Sequence, residues 1–431
     1  MKIALINPPV ESRYVHSIDE PLGILYLAAH LRDKHDLLII DSFSHNLTVE
    51  ETLDICLDFD VDIVGISTVF STSYKTSKEI CEKVKYERPS TITILGGNTA
   101  TFMAEELVKL PFIDYVVRGE SDISFPILVD VLSGGGDVSQ LKGITYKRDN
   151  QVLNNENQPL VKDLDSLPFP ARDLLPNSGQ YPKSILSTRG CAYGCIYCST
   201  SAFWGKGFRM RSVDNIIEEI EALVSEGNLT YFSFADDCFT LVPQRAIEIC
   251  TRIGEMGFDL EWSCTGRIET ISDQLLKSLR GAGCKSIFFG IESGSERILK
   301  ELNRKYTRNE VIRVYNLCIE NGIKPYFSFI VGLPYETIED VEETYNLINM
   351  LRGVENGIHI LTPFPGTPMV ENSAKYGLDI LPHSIEELDL NTRSFIKTSE
   401  LNPEEIESLF RKAIGYSFKS LKREAKEVSY E

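Results

Sequence analysis

Short runs of Ile, Val and Leu alternate with longer amphipathic stretches, and the pattern is laid down twice along the 431-residue chain. In the first round the apolar runs are Lys2–Asn7, Leu37–Asp41, Ile63–Ser67, Thr91–Leu95 and Tyr115–Val117. Runs that are apolar at every position, not at every second one, are those of parallel strands buried on both faces. Amphipathic stretches at Gly23–Lys34, Val49–Asp58, Thr72–Tyr86, Ala100–Lys109 and Ser121–Leu132 separate them. Strand–helix alternation predicts an α/β fold, here a doubly wound parallel sheet over 1–135 with ligands bound at the carboxyl ends of its strands.

Ser133-Gly134-Gly135-Gly136-Asp137 breaks the pattern. The following segment, 136–180, holds a strand-like run at Gly143–Lys147, is otherwise rich in Asn and Pro, and reads as a linker. The second round has strand candidates at Ser184–Ser187, Thr230–Ala235, Glu261–Cys264, Ser286–Ile291, Tyr326–Val331 and Gly357–Leu361. Six strand–helix units predict a partial (βα)6 barrel over 181–370, with its chemistry on loops at the carboxyl ends of the strands. The remainder, 371–431, is charged and is expected to be a small helical region.

Composition removes several function classes. A net charge of -19 repels phosphate backbones, so nucleic acid is not an expected partner. No run of about 18 apolar residues occurs, so no membrane span is expected. The start, MKIALINPP, reads as a first strand and not a secretory signal, which points to a cytoplasmic protein. Seven of the ten cysteines are scattered singly and read as small buried hydrophobes of a reducing compartment.

The other three, Cys191, Cys195 and Cys198, lie within eight residues, in Arg189-Gly190-Cys191-Ala192-Tyr193-Gly194-Cys195-Ile196-Tyr197-Cys198. Three readings compete. Closed structural zinc needs four ligands, and the fourth would have to be remote. A chance cluster of structural cysteines is the second. Three thiolates holding three irons of a 4Fe–4S cluster, with the fourth iron open to a substrate, is the third.

In this form, and directly after the first strand of a barrel, the cysteine motif resembles the radical S-adenosylmethionine (SAM) superfamily. The resemblance implies that the methionyl amine and carboxylate of SAM chelate the open iron, and that an electron from the cluster releases a 5′-deoxyadenosyl radical. It places Tyr197 beside the adenine, although a core aromatic packed by the cluster fits the residue equally. It also implies SAM contacts at successive strand ends: Asp236 or Asp237 at the methionine amine, Arg267 at a carboxylate, Glu292 and Ser293 at the ribose or amine, and Gly332 beside the adenine.

The first domain has loop signals of its own. They are Asn7-Pro8-Pro9, Gly65-Ile66-Ser67-Thr68-Val69, Leu95-Gly96-Gly97-Asn98 and Arg118-Gly119-Glu120. This set resembles a cobalamin-binding, Rossmann-like domain. The resemblance implies cobalamin contacts at Pro8, Ser67, Thr68, Gly96, Gly97, Asn98, Gly119 and Glu120. The loop Ser17-Ile18-Asp19-Glu20-Pro21-Leu22-Gly23 has no His where the family ligates cobalt, and His16 lies on the wrong side. Cobalamin bound without a histidine ligand is therefore expected.

Together the two resemblances imply a cobalamin-dependent radical SAM enzyme that functionalises an unactivated carbon of a small molecule or peptide. Methyl transfer is the leading reading; cyclisation or rearrangement without net methyl transfer is the alternative. Such an enzyme implies a flavodoxin- or ferredoxin-type electron donor. A non-catalytic corrinoid or iron–sulfur carrier would leave the strand-end acids without a purpose. No catalytic residue beyond these contacts is named by the sequence.

Overall fold

The computed structural model describes residues 1–10, 19–69, 71–205, 207–227, 229–388, 391 and 393–427. His16, Ser17 and Ile18 lie outside the described residues. The chain divides into two compact units, one made of Met1–Pro182 with Ser384–Leu388, the other of Lys183–His383 with Asp389–Glu431.

The first unit runs β1 (Lys2–Asn7), α1 (Leu22–Leu31), β2 (Asp36–Asp41), α2 (Val49–Phe59), β3 (Ile63–Ser67), α3 (Tyr74–Glu87), β4 (Ile92–Gly96), α4 (Asn98–Phe102), α5 (Ala104–Leu107), β5 (Tyr115–Val117), α6 (Ser121–Ser133), β6 (Ile144–Arg148) and β7 (Gln151–Asn154). Its sheet has the order β2-β1-β3-β4-β5-β6-β7. The first five strands are parallel. Successive side chains of a strand face opposite ways. Ile3 and Leu5 therefore pack with Ile24, Leu25, Phe125 and Leu128 of α1 and α6. Ala4 and Ile6 pack on the other face with Cys56, Ile80, Val84 and Leu107. Helices thus cover both faces, as expected of a doubly wound sheet. The strand order reverses between β1 and β3, and the crevice at their carboxyl ends is where such a sheet takes its ligand.

Residues 136–180 do more than link. β6 pairs antiparallel with β5, and β7 with β6, extending the sheet.

The second unit runs β8 (Lys183–Ile185), β9 (Thr188–Arg189), α7 (Ser199–Trp204), β10 (Arg209–Met210), α8 (Val213–Ser225), β11 (Tyr231–Phe234), α9 (Pro243–Glu255), β12 (Glu261–Gly266), α10 (Asp273–Gly281), β13 (Cys284–Glu292), α11 (Glu296–Glu301), α12 (Arg308–Glu320), β14 (Lys324–Val331), α13 (Ile338–Met350), β15 (Asn356–Ile360), α14 (Pro368–Glu371), β16 (Leu378–Ile380), β17 (Ile396–Thr398) and α15 (Pro403–Glu427). Six strands, β8, β11, β12, β13, β14 and β15, pair side by side in parallel in chain order. They are the strands expected of the partial barrel. Their helix-facing side chains, among them Phe232, Trp262, Phe289, Phe327 and Phe329, form one core with Ile216, Ile220, Ile249, Leu276 and Ile348.

The C-terminal region is not helical throughout. β16 and β17 pair antiparallel, and α15 adds Ile406, Leu409, Phe410 and Ala413 to the barrel core. Among the described residues no helix is long and apolar enough to cross a membrane.

Candidate functional site

The three clustered cysteines stand on the loop that leaves β9 and enters α7. Gly190 starts it with φ +88°, and a Cβ there would lie 2.1 Å from the Gly207 carbonyl oxygen, so only glycine fits. Gly194 also has positive φ, +62°. The Cys198 amide donates to the Cys195 carbonyl (3.2 Å), closing the turn into α7. Cys191, Cys195 and Cys198 are free and half-buried, whereas the other seven cysteines are free and buried. Among the described residues no three His, Cys, Asp or Glu side chains converge as a single metal ion would require. A cubane cluster takes each thiolate on a different iron, and three half-buried thiols on one glycine-hinged loop are compatible with that.

The loop is held from behind by a polar frame. Asp236, at the end of β11, accepts from the Ser187 amide (2.7 Å), the Thr188 amide (3.0 Å) and the Ser187 hydroxyl. Arg245 donates to the Ser187 carbonyl (3.0 Å) and the Arg211 carbonyl (2.9 Å). Arg211 is buried against Glu219 and donates to the Leu186 carbonyl (2.9 Å). These bonds fix the lead-in to the cysteines.

The expected SAM contacts separate in character. Asp236 uses both carboxylate oxygens on that frame. Asp237 is exposed, with Thr200 of α7 donating to it (3.1 Å). Arg267 lies 3.4 Å over the Tyr193 ring, within the cysteine loop, and pairs with Glu269 (3.0 Å). Ser293 is fully buried, with its hydroxyl 3.3 Å from that of Thr344 on α13. Gly332 has φ +87° and donates its amide to Glu336 (2.7 Å).

Glu292 ends β13 in a left-handed conformation, φ +71°, where the register with β14 shifts. Its carboxylate pairs with Arg304, which also donates to the Tyr197 hydroxyl (2.5 Å). Tyr197 and Ile196 pack against Ile298, Leu333, Leu361, Met369 and Ile396. Arg304 is 5% exposed, and among the described residues its buried Nε has no partner. A buried cationic N–H of this kind can receive an anionic acceptor.

In the first unit a cavity of ≈ 240 Å³ opens at the carboxyl ends of β1 and β3, lined among others by Asn7, Glu20, Gly23, Ser67, Val69 and Ser73. Of the expected cobalamin residues, Ser67 lines it. Gly97 (φ +94°) is pressed against Thr68, where a Cβ would sit 2.9 Å from the Thr68 carbonyl oxygen, and the Thr68 amide bonds Gly96 (2.7 Å). Asn98 presents a buried Oδ1 without a partner. Pro8 is buried. The Gly119 amide donates to Thr101 (3.0 Å), and Glu120 accepts from the Val161 amide (2.7 Å), which ties it to the 136–180 segment. Glu20 is buried and bonded by Arg172 (2.9 Å). No histidine is among the described residues lining the cavity.

Residues 185–348 match the radical SAM superfamily and residues 14–129 the B12 binding domain. An uncharacterized methyltransferase of Pyrococcus horikoshii is 36% identical over 434 residues, covering 96% of this chain and 91% of the relative. The chain belongs to the radical SAM enzymes that carry a B12 binding domain. The anaerobic magnesium-protoporphyrin IX monomethyl ester cyclase of Rubrivivax gelatinosus is 28% identical over 80% of this chain and 65% of its own length. Among solved structures, the radical SAM methyltransferase TsrM of Kitasatospora setae, with tryptophan and a SAM analog bound, has a TM-score of 0.74 at 18% identity, over 89% of this chain and 79% of TsrM. TsrM with cobalamin and a [4Fe-4S] cluster bound gives 0.72 at 20% identity, over 88% and 80%.

Two residues of this radical SAM barrel carry no signal in the sequence. Arg304 is one charged residue in a charged loop, and only the fold brings it to Tyr197 and Glu292. Glu336 follows Gly332-Leu333-Pro334-Tyr335. It is 1% exposed, its Oε2 accepts the Gly332 and Leu333 amides (2.7 and 3.2 Å), and among the described residues its buried Oε1 has no partner. Burial pushes its carboxyl up to about 8.

Proposed function

We propose that this chain is a cobalamin-dependent radical SAM methyltransferase acting on an unactivated carbon of a small molecule or peptide. The observation that carries methyl transfer is the match to a methyltransferase over nearly the full length of both chains. Cys191, Cys195 and Cys198 would hold three irons of a 4Fe–4S cluster, which when bound supplies single electrons to SAM. Exposed Asp237 would pair with the methionine ammonium, and the free N–H of Arg304 would meet the carboxylate. Glu292 holds Arg304 in place. Tyr197, hydrogen-bonded by Arg304, would flank the adenine beside Gly332. Asp236 and Ser293 serve as supports for the loops that carry these contacts.

The cavity walled by Ser67, Val69 and Ser73 would take the nucleotide tail of cobalamin, whose chemistry when bound is that of a methyl carrier. Glu20 stands in the cavity wall but is bonded to Arg172, and cobalamin would be held without a histidine ligand, because the loop Ser17–Gly23 carries none. A flavodoxin- or ferredoxin-type protein would deliver the electrons.

The test is anaerobic reconstitution with iron and sulfide, followed by SAM, a reductant and hydroxocobalamin. 5′-Deoxyadenosine and methylation of the added cobalamin are expected, and a substrate supplied with them should gain the mass of one methylene. Absence of SAM cleavage together with absence of methyl transfer overturns the proposal. The likeness to a cyclase supports a second reading, in which the product loses hydrogen and gains no carbon; product mass separates the two.

A further inference from the structure

We infer that Ser384–Leu388 is a clasp that holds the β3–α3 loop in shape for cobalamin, an inference that rests on the cobalamin reading of the first unit. These five residues follow β16 and precede β17, both of the second unit, yet they belong to the first. Their fold is local and self-contained. Ser384 and Glu387 cap one another, the Ser384 amide donating to Glu387 (2.8 Å).

Four contacts fasten the segment. The Ser71 hydroxyl donates to the Leu388 carbonyl (2.6 Å). Glu386 pairs with Lys78 of α3, and the Lys78 ammonium lies 4.7 Å from the Tyr74 ring centroid. Ile385 packs on the apolar core beneath α3. Leu388 is fully buried. A chance brush of a surface loop would not bury a leucine and a backbone carbonyl bond and add a partly buried ion pair within five residues.

The place it fastens matters. Ser71–Ser73 is the turn that follows Ser67-Thr68-Val69, and Val69 and Ser73 line the cavity. From below, the turn is held by Ser77, which bonds the Ser73 carbonyl (2.7 Å), and by Thr76, which bonds both the Ser73 carbonyl (3.1 Å) and the Pro9 carbonyl (2.6 Å). From above, the clasp holds it at Ser71. A wall fixed on both sides is pre-organised for its ligand, and pre-organisation appears as affinity. By linkage, a ligand that gains from the clasp must tighten the clasp by the same factor.

The experiment uses the full chain, reconstituted anaerobically and titrated with hydroxocobalamin by absorbance. Ser71→Ala is expected to weaken binding about fivefold, the worth of one net hydrogen bond. Lys78→Glu is expected to weaken it to a similar degree, and the exchange Lys78→Glu with Glu386→Lys to restore it. Iron content stays at the wild-type level in all three, which separates the effect from misfolding. Hydrogen exchange in 384–388 is expected to slow when hydroxocobalamin is added to wild type. If wild type takes up no cobalamin, the cobalamin reading falls and this inference with it. If wild type binds and the variants bind as tightly, or exchange in 384–388 is unmoved by cobalamin, this inference alone falls.

Discussion

Adjacent residues can have opposite duties. Asp236 and Asp237 are consecutive, but the first is buried beneath three donors and the second is exposed by the cysteine loop. Asp236→Asn replaces an acceptor oxygen with a donor facing amides. It should cost about 2 kcal/mol of stability and reduce iron incorporation, read by thermal unfolding and iron analysis. Asp237→Asn should retain iron and weaken SAM binding, read by titration calorimetry. The sequence Phe234-Ala235-Asp236-Asp237 shows two carboxylates at a strand end and gives no means of ranking them. Only the pairing of β8 with β11 determines which one meets the backbone behind the cluster loop.

Glu336 makes a pH prediction whose sign follows from its burial. Its carboxyl is pushed up to about 8 in the fold, against about 4.3 in an unfolded chain. Between those values the folded state keeps a proton that the unfolded state has lost, so stability falls as pH rises through the window, by at most about 1.4 kcal/mol per pH unit. Glu336→Gln keeps an acceptor for the Gly332 and Leu333 amides and removes the titration. Unfolding midpoints at pH 6 and pH 8 should differ less in the variant than in wild type.

At the level of elements, the end of β13 carries the strain of the site. Glu292 adopts φ +71°, which costs a non-glycine residue about 1–3 kcal/mol, and the buried pair with Arg304 holds it there. Arg304→Met strands a buried carboxylate and should destabilise by about 3–5 kcal/mol. Adding Glu292→Gln should recover part of that loss, measured as a double-mutant cycle in thermal unfolding.

The elements that the sequence makes legible are those with long apolar runs. Most strands of the two parallel sheets announce themselves through short runs rich in Ile, Val, Leu and Phe, while β12, Glu-Trp-Ser-Cys-Thr-Gly, is read from its place in the alternation. β6 shows as the strand-like run Gly143–Lys147, but β7 is harder to read, because Asn154-Asn155-Glu156-Asn157 and the prolines after it have the composition of a linker while the backbone before them completes a sheet edge. β16 and β17 have three residues each, too few for any period to show. The cysteine loop is legible because its chemistry depends on spacing. Arg304 is not, because its role depends on where a distant loop lands.

For the whole molecule, ligand linkage sets an expectation. A ligand that binds only the folded chain stabilises it by about 2.7 kcal/mol at one hundred times its dissociation constant. Hydroxocobalamin at that excess should raise the unfolding midpoint of the full chain, measured by scanning calorimetry. A midpoint unmoved by hydroxocobalamin would speak against the cavity at β1 and β3 as its site.

The excursion of Ser384–Leu388 into the first unit also bears on how the chain is born. A domain at the start of a chain ordinarily completes its fold while the rest is still being made. Here the last piece of the first unit leaves the ribosome after β15, when every strand of the second sheet has already been synthesised. The first unit must wait, unclasped, for its neighbour's sheet to be translated before its own structure can close.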